Sequence, residues 1–192
     1  KIPYLNSVPV YHYLDNEDLK IIPVTPHRLG RTFKQGSVVA GLISLMDYFD
    51  QEENLDLMNW CLAARDKVKS VLLFSKYAWK NLDGKNIGIT DETSTSVRLL
   101  EVLLKEKYGV TASMERIKYK DYSNFSAILL IGDVALKKLK EGISSMDFCY
   151  DLATEWYNWQ KLPFVFAVFA VKKNLSQERR DLIQDSIKQS LD

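Results

Sequence analysis

Cysteine and histidine are scarce in this 192-residue chain, with two of each. Cys61 and Cys149 stand far apart, which fits neither a disulfide framework nor a metal-binding pair, and a reducing compartment is the default. His12 and His27 have no second ligand at helical spacing, so no metal site is expected and a Ser-His-Asp triad finds little support. No apolar run approaches the roughly 20 residues that span a bilayer. Charge of one sign is absent too: 26 basic residues face 25 acidic ones, with no basic cluster. That balance excludes a general affinity for nucleic acid or an anionic membrane, and it leaves a small molecule as the expected partner.

What the chain does have is apolar content, 46%, distributed in short runs that alternate with helical periodicity. Residues 86–90, 111–117, 127–131 and 163–172 read as strands, as do 19–25, 38–45, 56–64 and 68–75. Helices are expected over 26–35, 97–108, 134–140 and 175–191; residues 147–159 mix aromatic and polar positions without a clear period. The alternation predicts an α/β fold with largely parallel sheets. In such folds ligands gather beyond the carboxyl ends of strands, where loops run into helix N-termini.

Three strand-to-helix junctions fit that description. The first is Asn6-Ser7, ahead of Pro9. The second is the turn Thr93-Ser94-Thr95-Ser96, where four hydroxyls meet the unpartnered N–H groups and positive dipole end of a helix. The third is Gly132-Asp133, with Asp133 expected as the N-cap. Such junctions suit a carboxylate or phosphate, although ordinary capping accounts for Ser, Thr, Asn and Asp at helix starts. The second junction is not a phosphate loop: Gly84 and Gly88 precede the turn, and no lysine follows it.

The blocks YLNSVP at 4–9, GLIS and DY within 41–48, SVLLFSK at 70–76 and LDGKNIGIT at 82–90 occur in order along the chain. TSTS at 93–96, IGDVAL at 131–136 and DLATEWYNWQKLPFVFAVFAVKK at 151–173 follow. Together they resemble the menaquinone-biosynthesis family that includes chorismate dehydratase. The resemblance implies a type II periplasmic-binding-protein-like fold: two α/β lobes, each a mostly parallel sheet flanked by helices, hinged around a cleft. It implies a first lobe over 1–68, a second over 69–165 and a return over 166–192, with strands 68–75 and 163–172 crossing between lobes. It also implies a cytoplasmic, cofactor-independent lyase that removes water from chorismate, a dicarboxylate.

On the same resemblance, Asn6 addresses the departing hydroxyl or the ring, and Ser70 binds a carboxylate. Thr93, Ser94, Thr95 and Ser96 hold the other carboxylate, and Ser7, Ser44, Gly132 and Asp133 line the site. One departure stands out: the family's Gly-x-x-Asp pattern is Gly36-Ser37-Val38-Val39 here, with valine in place of the acid. Two alternatives are a non-catalytic binder of a small carboxylate and the later, naphthoate-forming enzyme of the same pathway. The second is disfavoured by YLNSVP and by the shortage of histidine.

Overall fold

A computed structural model describes residues 5–12, 14, 17–90, 94–117 and 122–191. Among them the helices are α1 (Val8–Tyr11), α2 (Pro26–Lys34), α3 (Leu45–Phe49), α4 (Thr95–Val102), α5 (Gly132–Glu141), α6 (Leu152–Gln160) and α7 (Gln177–Leu191). The strands are β1 (Ala40–Ser44), β2 (Leu55–Ala64), β3 (Val71–Ser75), β4 (Asn86–Ile89), β5 (Ser113–Arg116), β6 (Ala127–Ile131), β7 (Phe148–Asp151) and β8 (Phe164–Lys172). The chain divides into two compact units, one of residues 1–62 and 165–192, the other of residues 63–164.

The first unit has a three-stranded sheet in the order β1-β8-β2, with β1 and β8 antiparallel. Its core gathers Leu42 and Ile43 of β1, Phe169, Ala170 and Val171 of β8, Leu29 and Phe33 of α2, and Ile183 and Ile187 of α7. Polar pins hold α7 in this unit: Arg180 donates to Asp56 at 2.7 Å, and the Ser190 hydroxyl donates to the Pro9 carbonyl at 3.0 Å. The buried Tyr11 hydroxyl accepts from the Leu42 N–H at 3.2 Å, and burial raises its pKa. Residues 19–25, expected as a strand, form none. Pro23 lacks the N–H that a ladder needs.

The second unit has a five-stranded sheet in the order β5-β4-β6-β3-β7. β4 runs parallel to β5 and β6, whereas β3 is antiparallel to β6 and β7. The sheets are therefore mixed, not mostly parallel. Every residue of β3 and β6 is buried, because both faces of these strands are covered. Leu72, Phe74, Ile128 and Leu130 pack with Phe125 and Ala135 in one apolar cluster. Gly88 lets β4 pack closely: a Cβ there would lie 3.0 Å from both Ile117 Cδ1 and Phe125 Cγ, so those side chains would have to give way.

The chain passes from the first unit to the second within β2, not in the 68–75 stretch, since β3 lies inside the five-stranded sheet. It returns at the start of β8. The helix expected over 97–108 begins earlier, at Thr95, and continues past Val102 as a π-helical turn, Leu103–Lys107.

Candidate functional site

Pairing within the second unit determines which residues share an edge. β4 and β6 are parallel neighbours, with Ile89 opposite Leu129, so their carboxyl ends lie together. β3 is antiparallel to β6 and starts where β6 ends, with Val71 opposite Ile131. β7 ends there as well, with Asp151 opposite Leu72. One edge of the sheet therefore collects the turn before β3, the end of β4, Gly132 and Asp151, and three helices begin from it: α4, α5 and α6.

At this edge Ser70 is 5% exposed. Its hydroxyl donates to the Val68 carbonyl at 3.3 Å, and its carbonyl accepts from the Gly132 N–H at 2.8 Å. Gly132 has φ +63°, the left-handed region that a residue with a Cβ enters only at a cost. Thr95 and Ser96 are buried in the first turn of α4, and Ser94 precedes them, half-buried. Thr93 lies outside the described residues. Hydroxyls, a helix start and close backbone approach are thus grouped on one edge, an arrangement suited to hydrogen-bonding an anion.

Of the other expected residues, some are tied to local structure. Asp133 is not an N-cap: α5 begins one residue earlier, at Gly132, and Asp133 is exposed in its first turn. Ser44 caps α3, its hydroxyl accepting from the Asp47 N–H at 3.2 Å. Ser7 is buried at the start of α1. Asn6 belongs to a short 3-10 turn, Leu5–Ser7, and its side chain lies outside the description. Val39 is exposed, and its carbonyl accepts from the Lys172 N–H at 2.9 Å. Among the described residues no group of three His, Cys, Asp or Glu comes together to hold a metal.

The residue that sequence reasoning missed is Asp151. Its carboxylate accepts from Ala153 N–H at 3.0 Å and Thr154 N–H at 3.2 Å, capping α6, and from Val68 N–H at 3.0 Å and Lys69 N–H at 2.7 Å. The available signal was an aspartate directly before the helical stretch Leu-Ala-Thr-Glu. One turn further along α6, Glu155 accepts from Lys107 Nζ at 2.6 Å and from the Tyr108 hydroxyl. Trp79 stacks on Tyr108 with ring centroids 4.6 Å apart and packs, tilted by 36°, against Tyr150 at 4.8 Å. Burial first, then the bond to Glu155 and its charge, push the Tyr108 pKa well above the ordinary tyrosine value. Burial, then Asp151, raise the Cys149 thiol.

The chain is 32% identical over 186 residues to the chorismate dehydratase of Thermus thermophilus, an alignment covering 88% of this chain and 68% of the relative. Its fold is similar to that of a crystallised protein from Archaeoglobus fulgidus, with a TM-score of 0.73, 17% identity, and 99% and 73% of the two chains covered. It is also similar to an amino acid transporter substrate-binding protein from Streptococcus pneumoniae bound to L-arginine, with a TM-score of 0.53, 14% identity, and 96% and 75% covered. The architecture is thus that of periplasmic-binding-protein-like substrate-binding domains. The sequence profile for menaquinone biosynthesis matches residues 1–192, and the chain belongs to that family.

Proposed function

We propose that this chain is a chorismate dehydratase, a lyase that removes water from chorismate to give 3-[(1-carboxyvinyl)oxy]benzoate. The observation that carries the reading is the grouping of Ser70, Ser94, Thr95, Ser96 and Gly132 on one sheet edge, in a chain 32% identical to a chorismate dehydratase. Chorismate has two carboxylates, and this edge is proposed to hold one of them by hydroxyl and backbone donors. A charge-assisted hydrogen bond of that kind is worth about 1.5–3 kcal/mol. Asn6 is assigned to the departing hydroxyl on the family resemblance alone.

The reaction breaks a ring C–H bond and a C–O bond, and the proton and hydroxide leave as water while the ring becomes aromatic. Among the described acids at this edge, Asp151 already accepts from backbone N–H groups of two segments, and Asp133 is exposed on α5. We therefore assign the proton to the substrate's own enolpyruvyl carboxylate, with the protein orienting that group and stabilising developing charge. No cofactor enters this scheme. The proposal includes a cytoplasmic setting, in keeping with the free thiols Cys61 and Cys149.

A second reading, a non-catalytic carboxylate binder, is favoured by one feature: Val39 where the family pattern has an acid. Incubation with chorismate, followed by chromatography and mass spectrometry, separates the two. The dehydratase yields a product lighter by one water, and Asn6→Ala abolishes it. Saturable binding with chorismate recovered intact supports the binder, and no binding removes chorismate from both readings.

A further inference from the structure

Lys69 holds φ +59°, a left-handed conformation, without being glycine. Such a residue relaxes to negative φ unless its surroundings hold it. What holds it is Asp151: one carboxylate oxygen accepts from both Val68 N–H at 3.0 Å and Lys69 N–H at 2.7 Å. The grip is reinforced next door, where the Thr154 hydroxyl donates to the Asp66 carbonyl at 3.0 Å. Directly after Lys69 comes Ser70, whose carbonyl takes the Gly132 N–H. The other oxygen of the same carboxylate caps α6 through Ala153 and Thr154 N–H.

We infer that Asp151 is a positioning residue for substrate binding: by fixing Lys69 in its left-handed turn, it sets Ser70 and Gly132 in the geometry that receives a substrate carboxylate. The inference rests on the reading that this edge binds chorismate. Asp151 does not touch the substrate in this account; it acts through the 66–70 turn. An amide in its place has a single acceptor oxygen, so it cannot serve both the start of α6 and the turn, and the hold on Lys69 weakens.

Glu155 provides the contrast. It lies one turn along α6 and ties that helix to Lys107 and Tyr108, with no bond to the Ser70 turn. If Asp151 matters only for stability, Asp151→Asn and Glu155→Gln affect chorismate binding alike. If it positions Ser70, they differ.

The test uses steady-state kinetics with chorismate together with amide hydrogen exchange at Gly132, on the full chain. Asp151→Asn is expected to raise KM about tenfold, the loss of roughly one net hydrogen bond, with a smaller change in kcat. Gly132 exchange is expected to quicken. Lys69→Gly in the same background is expected to recover most of both changes, because glycine adopts the left-handed turn unaided. Glu155→Gln, although it lowers thermal stability, is expected to leave KM and Gly132 exchange close to the parent's. The inference is overturned if Asp151→Asn leaves both readouts unchanged, if Lys69→Gly recovers neither, or if Glu155→Gln shifts them equally. A parent protein that neither binds nor converts chorismate defeats the functional reading instead, and with it the substrate half of the inference. The exchange arm still decides whether Asp151 fixes the turn.

Discussion

Three helices start from one edge of the five-stranded sheet, and the protein treats them differently. α6 starts on Asp151, whose carboxylate satisfies its first N–H groups and the neighbouring turn as well. α4 starts on a buried hydroxyl run, and α5 on a glycine whose φ is positive. A fixed negative charge suits a terminus with a structural task, since it locks the backbone and neutralises the dipole permanently. Neutral hydroxyls and backbone N–H groups suit a terminus that meets an anion, because they donate without repelling it. The contrast gives α6 a structural start and is the reason the proposed recognition is assigned to α4 and α5.

Removing the carboxylate tests the structural half most severely. Asp151→Ala leaves backbone N–H groups of two segments without their acceptor and is expected to destabilise the second unit by about 3 kcal/mol, read as a lowered denaturant midpoint. An unchanged midpoint means that water replaces the carboxylate and that α6 is no more anchored than its neighbours. Gly132→Ala tests the recognition half. The new Cβ opposes φ +63° and is expected to cost about 1–2 kcal/mol, with weaker chorismate binding in calorimetry. Binding at parental strength removes Gly132 from the proposed site.

The Glu155 cluster sharpens the structural side through pH. Tyr108 has a folded pKa above its ordinary value of 10.0, so its contribution to stability is fully present below pH 10 and is lost as pH rises through the folded value. Thermal melts from pH 8 to 11 are expected to show a loss on the alkaline side that Tyr108→Phe reduces. A variant with the same alkaline slope as the parent assigns that slope to other groups. Smallest in stability is Ser96→Ala, expected to change it by about 0.5 kcal/mol while still weakening chorismate binding. Intact binding in that variant leaves the α4 hydroxyls as packing alone.

Much of this was legible in the sequence. The runs VLLFS and AILLI read as strands, and both are fully buried. Their direction was not legible, because covering both faces dictates apolar composition, whether the neighbour runs parallel or antiparallel. The hydroxyl-rich start of α4 was visible as a run of polar residues. Asp151 was hidden because β7 has only four residues, too few to show a period, and α6 follows with tryptophan and tyrosine scattered among polar positions. The passage between units, within β2, is not visible in the sequence because β2 alternates in burial along its length, as an ordinary half-covered strand does.

The most direct measurement is a crystal structure of the protein with chorismate or its dehydrated product. The account predicts a ligand carboxylate within hydrogen-bonding distance of the Ser70 hydroxyl or of the hydroxyls and N–H groups of Ser94, Thr95 and Ser96, with Asp151 still bound to Val68 and Lys69. A ligand carboxylate seated elsewhere, or an Asp151 that has released the turn, contradicts it.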